Sequence, residues 1–269
     1  GAAAASRIIL AAPIALEEIE ARFGSQIENR ERVTFDTVSA SLRARRSRRL
    51  GALVLSEQVK PVGPDEPSAS LLAEGIAALG INRLPWTKGQ LQLRDRVQFL
   101  RQAEGEEWPD LSDAALARTV AEWLAPFLSG KTALSQIGAD DLAAALDALL
   151  PWALRKRLDA EAPTHFTAPT GSAVPIEYTA EQGPTVSIRV QELFGLAQHP
   201  AIAGGRVPLV IELLSPAHRP VQVTRDLPGF WRGSYADVKA EMRGRYPKHP
   251  WPDDPLAAPA TRRAKPRGQ

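Results

Sequence analysis

The chain has 269 residues and is 44% hydrophobic and 24% charged, which excludes global disorder and a fibrous repeat and leaves room for one large domain or two to three smaller ones. It contains no cysteine, so disulfides, thiolate zinc sites and thiol catalysis are excluded together. Thirty-three basic residues against 31 acidic ones give a net charge of only +2, so the chain as a whole is no polyanion sponge, and no apolar run approaches the roughly 18 residues of a membrane span.

Residues 1–60 read as a strand-rich module. Residues 7–11 are a short apolar run, 16–23 a brief helix, and 27–35 and 42–55 strand-like stretches broken by a hairpin near 36–39. Residues 61–67, PVGPDEP, hold three prolines and read as a linker. From 68 to 158 the apolar period becomes helical. Leu71, Leu72, Ile76 and Leu79 mark one stripe, with Gly80 as C-cap. Thr87 and Gln90 form a capping-box pair, and Ser112 caps a helix carrying Leu116, Val120, Trp123, Leu124 and Phe127. Asp140 or Asp141 opens a fourth helix, which Pro151 resets. Trp123 and Trp152 lie on these stripes and are expected in the core. Residues 104–147 hold nine acids and two bases, a local −7 that suits a partner surface better than RNA.

Residues 159–246 return to mixed α/β structure. Residues 174–179 and 185–190 alternate at period two and predict a β-hairpin. A short helix over 191–197, strands over 207–214 and 220–224, a turn bearing Phe230 and Trp231, and a helix capped by Ser234 follow. Residues 247–269 hold six prolines and read as an extended, basic tail. The fold class expected is therefore α+β and multidomain.

No motif for self-contained catalysis is visible. HExxH, GxSxG and GxGxxG are absent, and Gly130-Lys131-Thr132 lacks the glycine that would open a phosphate loop. No catalytic residue and no metal ligand is assigned, so independent enzyme activity is not the expectation. The chain opens on Gly-Ala-Ala without Met or a signal peptide, as a processed or cut intracellular chain would.

Two basic features are candidates for binding. Arg43, Arg45, Arg46, Arg48 and Arg49 place five guanidinium groups within seven residues. In a strand they split between both faces, so this strand is expected at a sheet edge or with one face wet. Guanidinium groups fork onto phosphates and give salt-dependent affinity for RNA or single-stranded nucleic acid. Residues 231–269 carry nine bases and four acids, with Lys239, Arg243, Arg245 and Lys248 near Tyr235, Tyr246 and Trp251. These permit a backbone-and-stacking mode, or else the aromatic rings pin the tail to its domain.

The run GRVPLVIELLSPAHRPVQVTRDLPGFWRGSYADVKAEMRGRYPKHPWPDDP (205–255), with LDAEAPTHFTAPTGS (158–172), VQELFG (190–195) and RRLGALVL (48–55), resembles the C-terminal end of HrpB-type bacterial ATP-dependent helicases. The resemblance implies the DEAH/RHA branch: two RecA-like domains, then winged-helix, helix-bundle and OB-type modules and a family-specific C-terminal region. Residues 1–60 would be a partial OB-like module, and ATP, Mg and hydrolysis would belong to a motor that this chain does not match. The resemblance further implies a cytoplasmic RNA-helicase region whose partners are nucleic acid and its own helicase core. A scaffold that docks an unknown protein partner is the alternative.

Overall fold

The computed structural model describes residues 12–63 and 66–263; the apolar run over 7–11 and the basic residues Lys265 and Arg267 lie outside them. In chain order the elements are α1 (Leu16–Phe23), β1 (Ile27–Asp36), β2 (Ser41–Leu50), β3 (Leu53–Lys60), α2 (Glu66–Leu79), α3 (Lys88–Glu104), α4 (Asp113–Arg118), α5 (Val120–Trp123), α6 (Ala139–Leu149) and α7 (Trp152–Glu161). Then come β4 (His165–Thr167), β5 (Ala173–Pro175), β6 (Thr185–Arg189), β7 (Ala201–Ile202), β8 (Val207–Pro208), β9 (Val210–Leu214), β10 (Pro220–Thr224), α8 (Leu227–Arg232) and α9 (Tyr235–Arg245). The chain is mixed α/β with several small sheets, and it divides into two compact units, Gly1–Pro85 with Thr119–Leu142 and Trp86–Arg118 with Ala143–Gln269. The helical stretch 68–158 contributes to both.

In the first unit β1, β2 and β3 form an antiparallel meander in that order. The stretch 42–55, read as one strand, is two: Gly51, at φ +56°, turns the chain back and starts β3. Among the described residues no further strand closes this sheet into a barrel. One face packs on α2, where Gly75 lets the Phe35 ring lie against the helix; a Cβ there would stand 2.1 Å from the ring's Cγ. Leu42 and Ala44 are buried on the same face as Phe35, beside a core that includes Leu72, Ile76, Trp123 and Leu124. The amide of Leu42 donates to the carbonyl of Thr132, and Lys131 Nζ reaches Asp141 at 2.6 Å and the Gln136 carbonyl at 3.0 Å. Gly130-Lys131-Thr132 thus holds the unit together and opens no phosphate-binding helix.

The single helix expected through Trp123 and Phe127 is broken instead. α4 ends at Arg118, Thr119 leaves helical geometry, and after α5 the chain tightens to a 3-10 turn around Pro126. The Thr87–Gln90 capping box forms as expected, Gly80 terminates α2 at φ +111°, and α7 starts directly after Pro151. That restart changes the helix phase: Trp123 is buried as expected, whereas Trp152 is 77% exposed and Leu158 takes the core position on α7.

In the second unit β6 runs parallel to β9, and β9 pairs antiparallel with β10. The hairpin expected between 174–179 and 185–190 does not form. β5 pairs back onto β4 and ends at Pro175, leaving one bridge between Glu177 and Thr185. The strand expected over 207–214 is interrupted between Pro208 and Val210, the 191–197 helix is a 3-10 turn over Val190–Leu193, and the Phe230–Trp231 turn is the short helix α8. Ser234 stands at the start of α9 without capping it; its Oγ accepts from Gln222 Nε2 at 3.0 Å.

Residues 247–263 form no helix or strand; they turn at 247–249 and 255–258 and are strapped to the second unit. Tyr235 Oη donates to the Pro252 carbonyl, Trp251 Nε1 to the Tyr246 carbonyl, Gly195 N to the Pro255 carbonyl and Thr261 N to the Gln191 carbonyl. Guanidinium groups do similar work inside this unit. Buried Arg96 holds the carbonyls of Ala162 and Leu158 at the end of α7 and pairs with Asp159 at 2.7 Å. Arg157 joins Glu104, Glu107 and Glu161, and Arg206 joins Glu104 and Glu161.

Candidate nucleic-acid interface

β2 is the central strand of its sheet, so of the two positions expected of it, a sheet edge or one wet face, the edge is excluded and the wet face is found. The register sorts its arginines. Directly opposed residues of an antiparallel pair share a face, and faces alternate along each strand. Thr34 opposes Arg43, Arg32 opposes Arg45, Arg30 opposes Ser47 and Glu28 opposes Arg49, so Arg30, Arg32, Arg43, Arg45 and Arg49 share one face. Arg46 and Arg48 lie on the other, with Leu42 and Ala44, where Arg48 pairs with Glu20 of α1 at 2.5 Å.

The five-arginine face is open. Arg30 and Arg45 are about 60% exposed, and a shallow hollow of about 370 Å³ lies between the arginine side chains. Arg30, Arg32, Arg45 and Arg49 line it with Glu57, Thr34, Ser47 and Val54. Arg45 pairs with Glu57 at 3.0 Å, Arg30 with Glu28 at 2.7 Å and Arg43 with Asp36 at 4.0 Å. The Asp36 carboxyl is held below its ordinary range, first by the Val38 amide and then by the Ser39 hydroxyl, with Arg43 adding a smaller pull. The Nε of Arg49 is buried with no hydrogen-bond partner. Arg30 and Arg32 are members that the run in β2 could not reveal. Their signal is an i, i+2 pair of arginines in a strand, masked by the neighbouring Glu28 and Glu31.

The second basic group sits on and beyond α9. Lys239 is held by Asp253 at 2.8 Å and Arg245 by Glu241 at 3.1 Å, while Arg243 and Lys248 are exposed. Tyr235 and Trp251 are buried, and burial pushes the Tyr235 hydroxyl well above its usual range. Those two rings pin the extended segment and do not present a stacking face. Among the described residues no cluster of three or more His, Asp or Glu is placed to hold a metal ion, and no helix is long and apolar enough to cross a membrane.

Two of the family-resembling segments, 158–172 and 190–195, meet in one polar cluster of the second unit around the buried Glu192. The Glu192 carboxylate accepts from Ser172 Oγ at 2.6 Å, from Thr170 Oγ1 at 3.0 Å and from Arg189 at 2.9 and 3.0 Å. Burial pushes this carboxyl up, but the bonds from Ser172, Arg189 and Thr170 together outweigh it and leave it below its ordinary value.

Residues 123–255 match the family described as ATP-dependent helicase C-terminal, and residues 26–59, which hold the sheet, match the family described as ATP-dependent RNA helicase HrpB, connector region. The chain is 40% identical over 261 residues to the ATP-dependent RNA helicase HrpB of Escherichia coli K12, covering 97% of itself and 32% of that protein. It thus spans about a third of the length of the curated relative it matches. A crystal structure of the E. coli DExH-box NTPase HrpB superimposes with a TM-score of 0.70 at 40% identity, covering 96% of this chain and 32% of that one. A crystal structure of the E. coli DEAH/RHA helicase HrpB gives 0.62 at 38% identity, covering 84% and 29%. Connector match, C-terminal match, sequence identity and superposition agree over nearly the whole chain, which belongs to the C-terminal region of the HrpB-type helicases.

Proposed function

We propose that this chain is a nucleic-acid-handling accessory region of an ATP-dependent RNA helicase. The open arginine face of the β1–β2–β3 sheet carries the reading. Guanidinium groups on a rigid strand frame meet phosphates with little ordering of the backbone, and the affinity is sequence-blind and salt-dependent. The sheet is then used as an OB-type surface is used, although its strands form a three-stranded meander. ATP, Mg and bond cleavage belong to the motor of the parent helicase, which the arginine face serves by holding the strand that the motor moves. The α9 group, Lys239, Arg243, Arg245 and Lys248, contributes long-range attraction, chiefly through the unpaired Arg243 and Lys248.

Titration of the chain into fluorescent single-stranded RNA and an equal-length duplex tests this, at about 20 mM and near-physiological salt. The expected result is binding that favours the single strand and weakens steeply with salt. Replacing Arg43, Arg45 and Arg49 with Ser reduces both affinity and salt slope; unchanged values would remove the arginine face from the account.

A docking role is the second reading, and exposed Trp152 favours it, because an uncovered Trp is a frequent anchor in protein interfaces. The acidic stretch supports it less. Glu104, Glu107, Asp113, Asp141 and Asp147 are each already in an ion pair within their own unit. Loss of binding to the helicase core in Trp152→Ala, with RNA affinity unchanged, would establish docking.

A further inference from the structure

The arginine face is more than a diffuse basic surface: we infer that it contains one discrete oxyanion pocket, floored by Ser47, walled by Arg30, Arg45 and Arg49, and occupied at its rim by a competing carboxylate, Glu57. The inference rests on the nucleic-acid reading above for the source of the anion, a phosphate of a single strand. The pocket itself is argued from the sheet alone.

Three observations place it. Ser47 is the smallest side chain at the centre of the face, opposite Arg30 on one side and Glu57 on the other, so its short side chain creates the hollow among long neighbours. Arg32 and Arg45 are directly opposed across β1 and β2. Like charges at that spacing destabilise a sheet unless an anion lies between or beside them. Glu57 supplies one negative charge at Arg45, 3.0 Å away, and Glu28 one at Arg30, 2.7 Å away, against the four arginines that line the hollow. Finally, Arg49 lines the hollow and its buried Nε–H has no partner, a donor that a bound oxygen atom would satisfy once the side chain turns toward it. Alternate residues of a strand stand about 7 Å apart, so Arg45 and Arg49 lie about 14 Å apart with Ser47 midway. Both line the same hollow as Ser47, and Arg43 and Arg32 extend the row for the neighbouring phosphates of an extended strand.

Glu57 then acts as an internal competitor. Its carboxylate holds the position beside Arg45 that a phosphate oxygen takes, so binding exchanges one ion pair for another and lowers the apparent affinity. This distinguishes a pocket from diffuse attraction, because two substitutions that remove no arginine change binding in opposite directions. Ser47→Val fills the hollow with a residue that favours strands. Glu57→Gln releases Arg45 while keeping the shape of the side chain.

The 269-residue chain and its variants are titrated with a fluorescent oligouridylate at several salt concentrations, and the wild-type chain is titrated with inorganic phosphate and tripolyphosphate while the amide resonances of residues 45–49 are followed. The expected result is an affinity loss of tenfold or more in Ser47→Val, a several-fold gain in Glu57→Gln, and no change in Arg46→Ser, with the wild-type melting temperature retained. Phosphate shifts the Ser47 and Arg49 resonances, and their absence in Ser47→Val confirms the location. If the wild type binds the oligonucleotide while both variants match it, the pocket is refuted and the nucleic-acid reading stands on diffuse charge. If the wild type binds no oligonucleotide but phosphate shifts these resonances, the pocket stands and its source is a free phosphate compound. Absence of both refutes the pocket together with the reading it rests on. Should Ser47→Val fail to fold, the sign of the Glu57→Gln effect decides: an unchanged or weakened affinity overturns the inference.

Discussion

Substituting Gly75 by Ala sets two effects of known sign against each other. In the interior of α2 the exchange removes glycine's entropic penalty and is worth about 1 kcal/mol in favour of the folded state. The added Cβ, however, would stand 2.1, 2.4 and 2.6 Å from Cγ, Cδ2 and Cδ1 of Phe35, where ordinary contact begins near 3.4 Å. The ring must therefore retreat by about 1.3 Å, the difference between 3.4 and 2.1 Å. It cannot do so as the loose end of a chain, because Phe35 sits in β1 in register with Leu42, whose side chain is buried. Overpacking of this kind costs about 1–3 kcal/mol. The net expectation, the cost less the gain, is a destabilisation of about 0–2 kcal/mol, confined to the first unit. Urea unfolding followed by Trp fluorescence and far-ultraviolet circular dichroism reads it as a lower midpoint at unchanged slope. Pairing the substitution with Phe35→Leu removes the ring, and the double variant then shows a coupling of at least about 1 kcal/mol. A Gly75→Ala chain about 1 kcal/mol more stable than the wild type, the helix gain with no cost against it, would refute the close packing of α2 on the sheet.

Trp152→Ala changes stability by less than about 0.5 kcal/mol because the ring is exposed, whereas Trp123→Ala costs about 3–5 kcal/mol through its cavity, and differential scanning fluorimetry separates them. Asp110 is lowered to about 2, first by the Ser112 amide, then by the Ser112 side chain and Gln98. A group lowered in the fold stabilises above its ordinary value of 3.8 and loses that contribution as pH falls toward 2, so Asp110→Asn costs about 1 kcal/mol at pH 7 after solvent screening and progressively less in urea titrations between pH 4 and 2. Glu192→Gln leaves Arg189 without its carboxylate and lowers stability by about 3 kcal/mol. Its folded-state carboxyl is lowered too, so the difference from wild type is full at neutral pH and shrinks as the carboxylate protonates in acid, which melting curves at pH 7 and 3 record.

The parts of this fold that obey local rules were legible in the sequence. Thr87 and Gln90 cap α3 because two side chains three residues apart satisfy each other's amides, Gly80 ends α2 because it alone takes φ +111° easily, and Pro151 restarts the helix. The misreadings follow from what those rules leave open. Once Pro151 restarts the chain, the stripe of α6 no longer predicts the face of α7, and Trp152 points outward while Leu158 is buried. The hairpin expected after Val174 failed because β6 finds its partner in β9, a parallel pairing whose choice depends on residues far along the chain.

The arginine face shows the same division between composition and placement. Five arginines in seven residues mark a concentration of positive charge, but a strand alone cannot say which of them share a face. Gly51 hides a second hairpin inside what reads as one strand, and that hairpin moves β2 from the edge to the centre. The partner strand then decides membership: Arg30 and Arg32 enter, Arg46 and Arg48 leave toward the helical side, and Ser47 becomes the floor of a hollow. Family likeness also covers the sheet, over residues 26–59, but the segments of the second unit that carry it encode something different. TAPTGS and VQELFG meet at Glu192, and LPGFWRGSY meets HPWPDDP where Tyr235 Oη bonds to the Pro252 carbonyl. Those residues pack the second unit, so they fix ancestry through architecture. The arginine face depends instead on register within the first unit, so family resemblance does not say which of its arginines act together, and substitutions on that face are what decide whether it holds an anion.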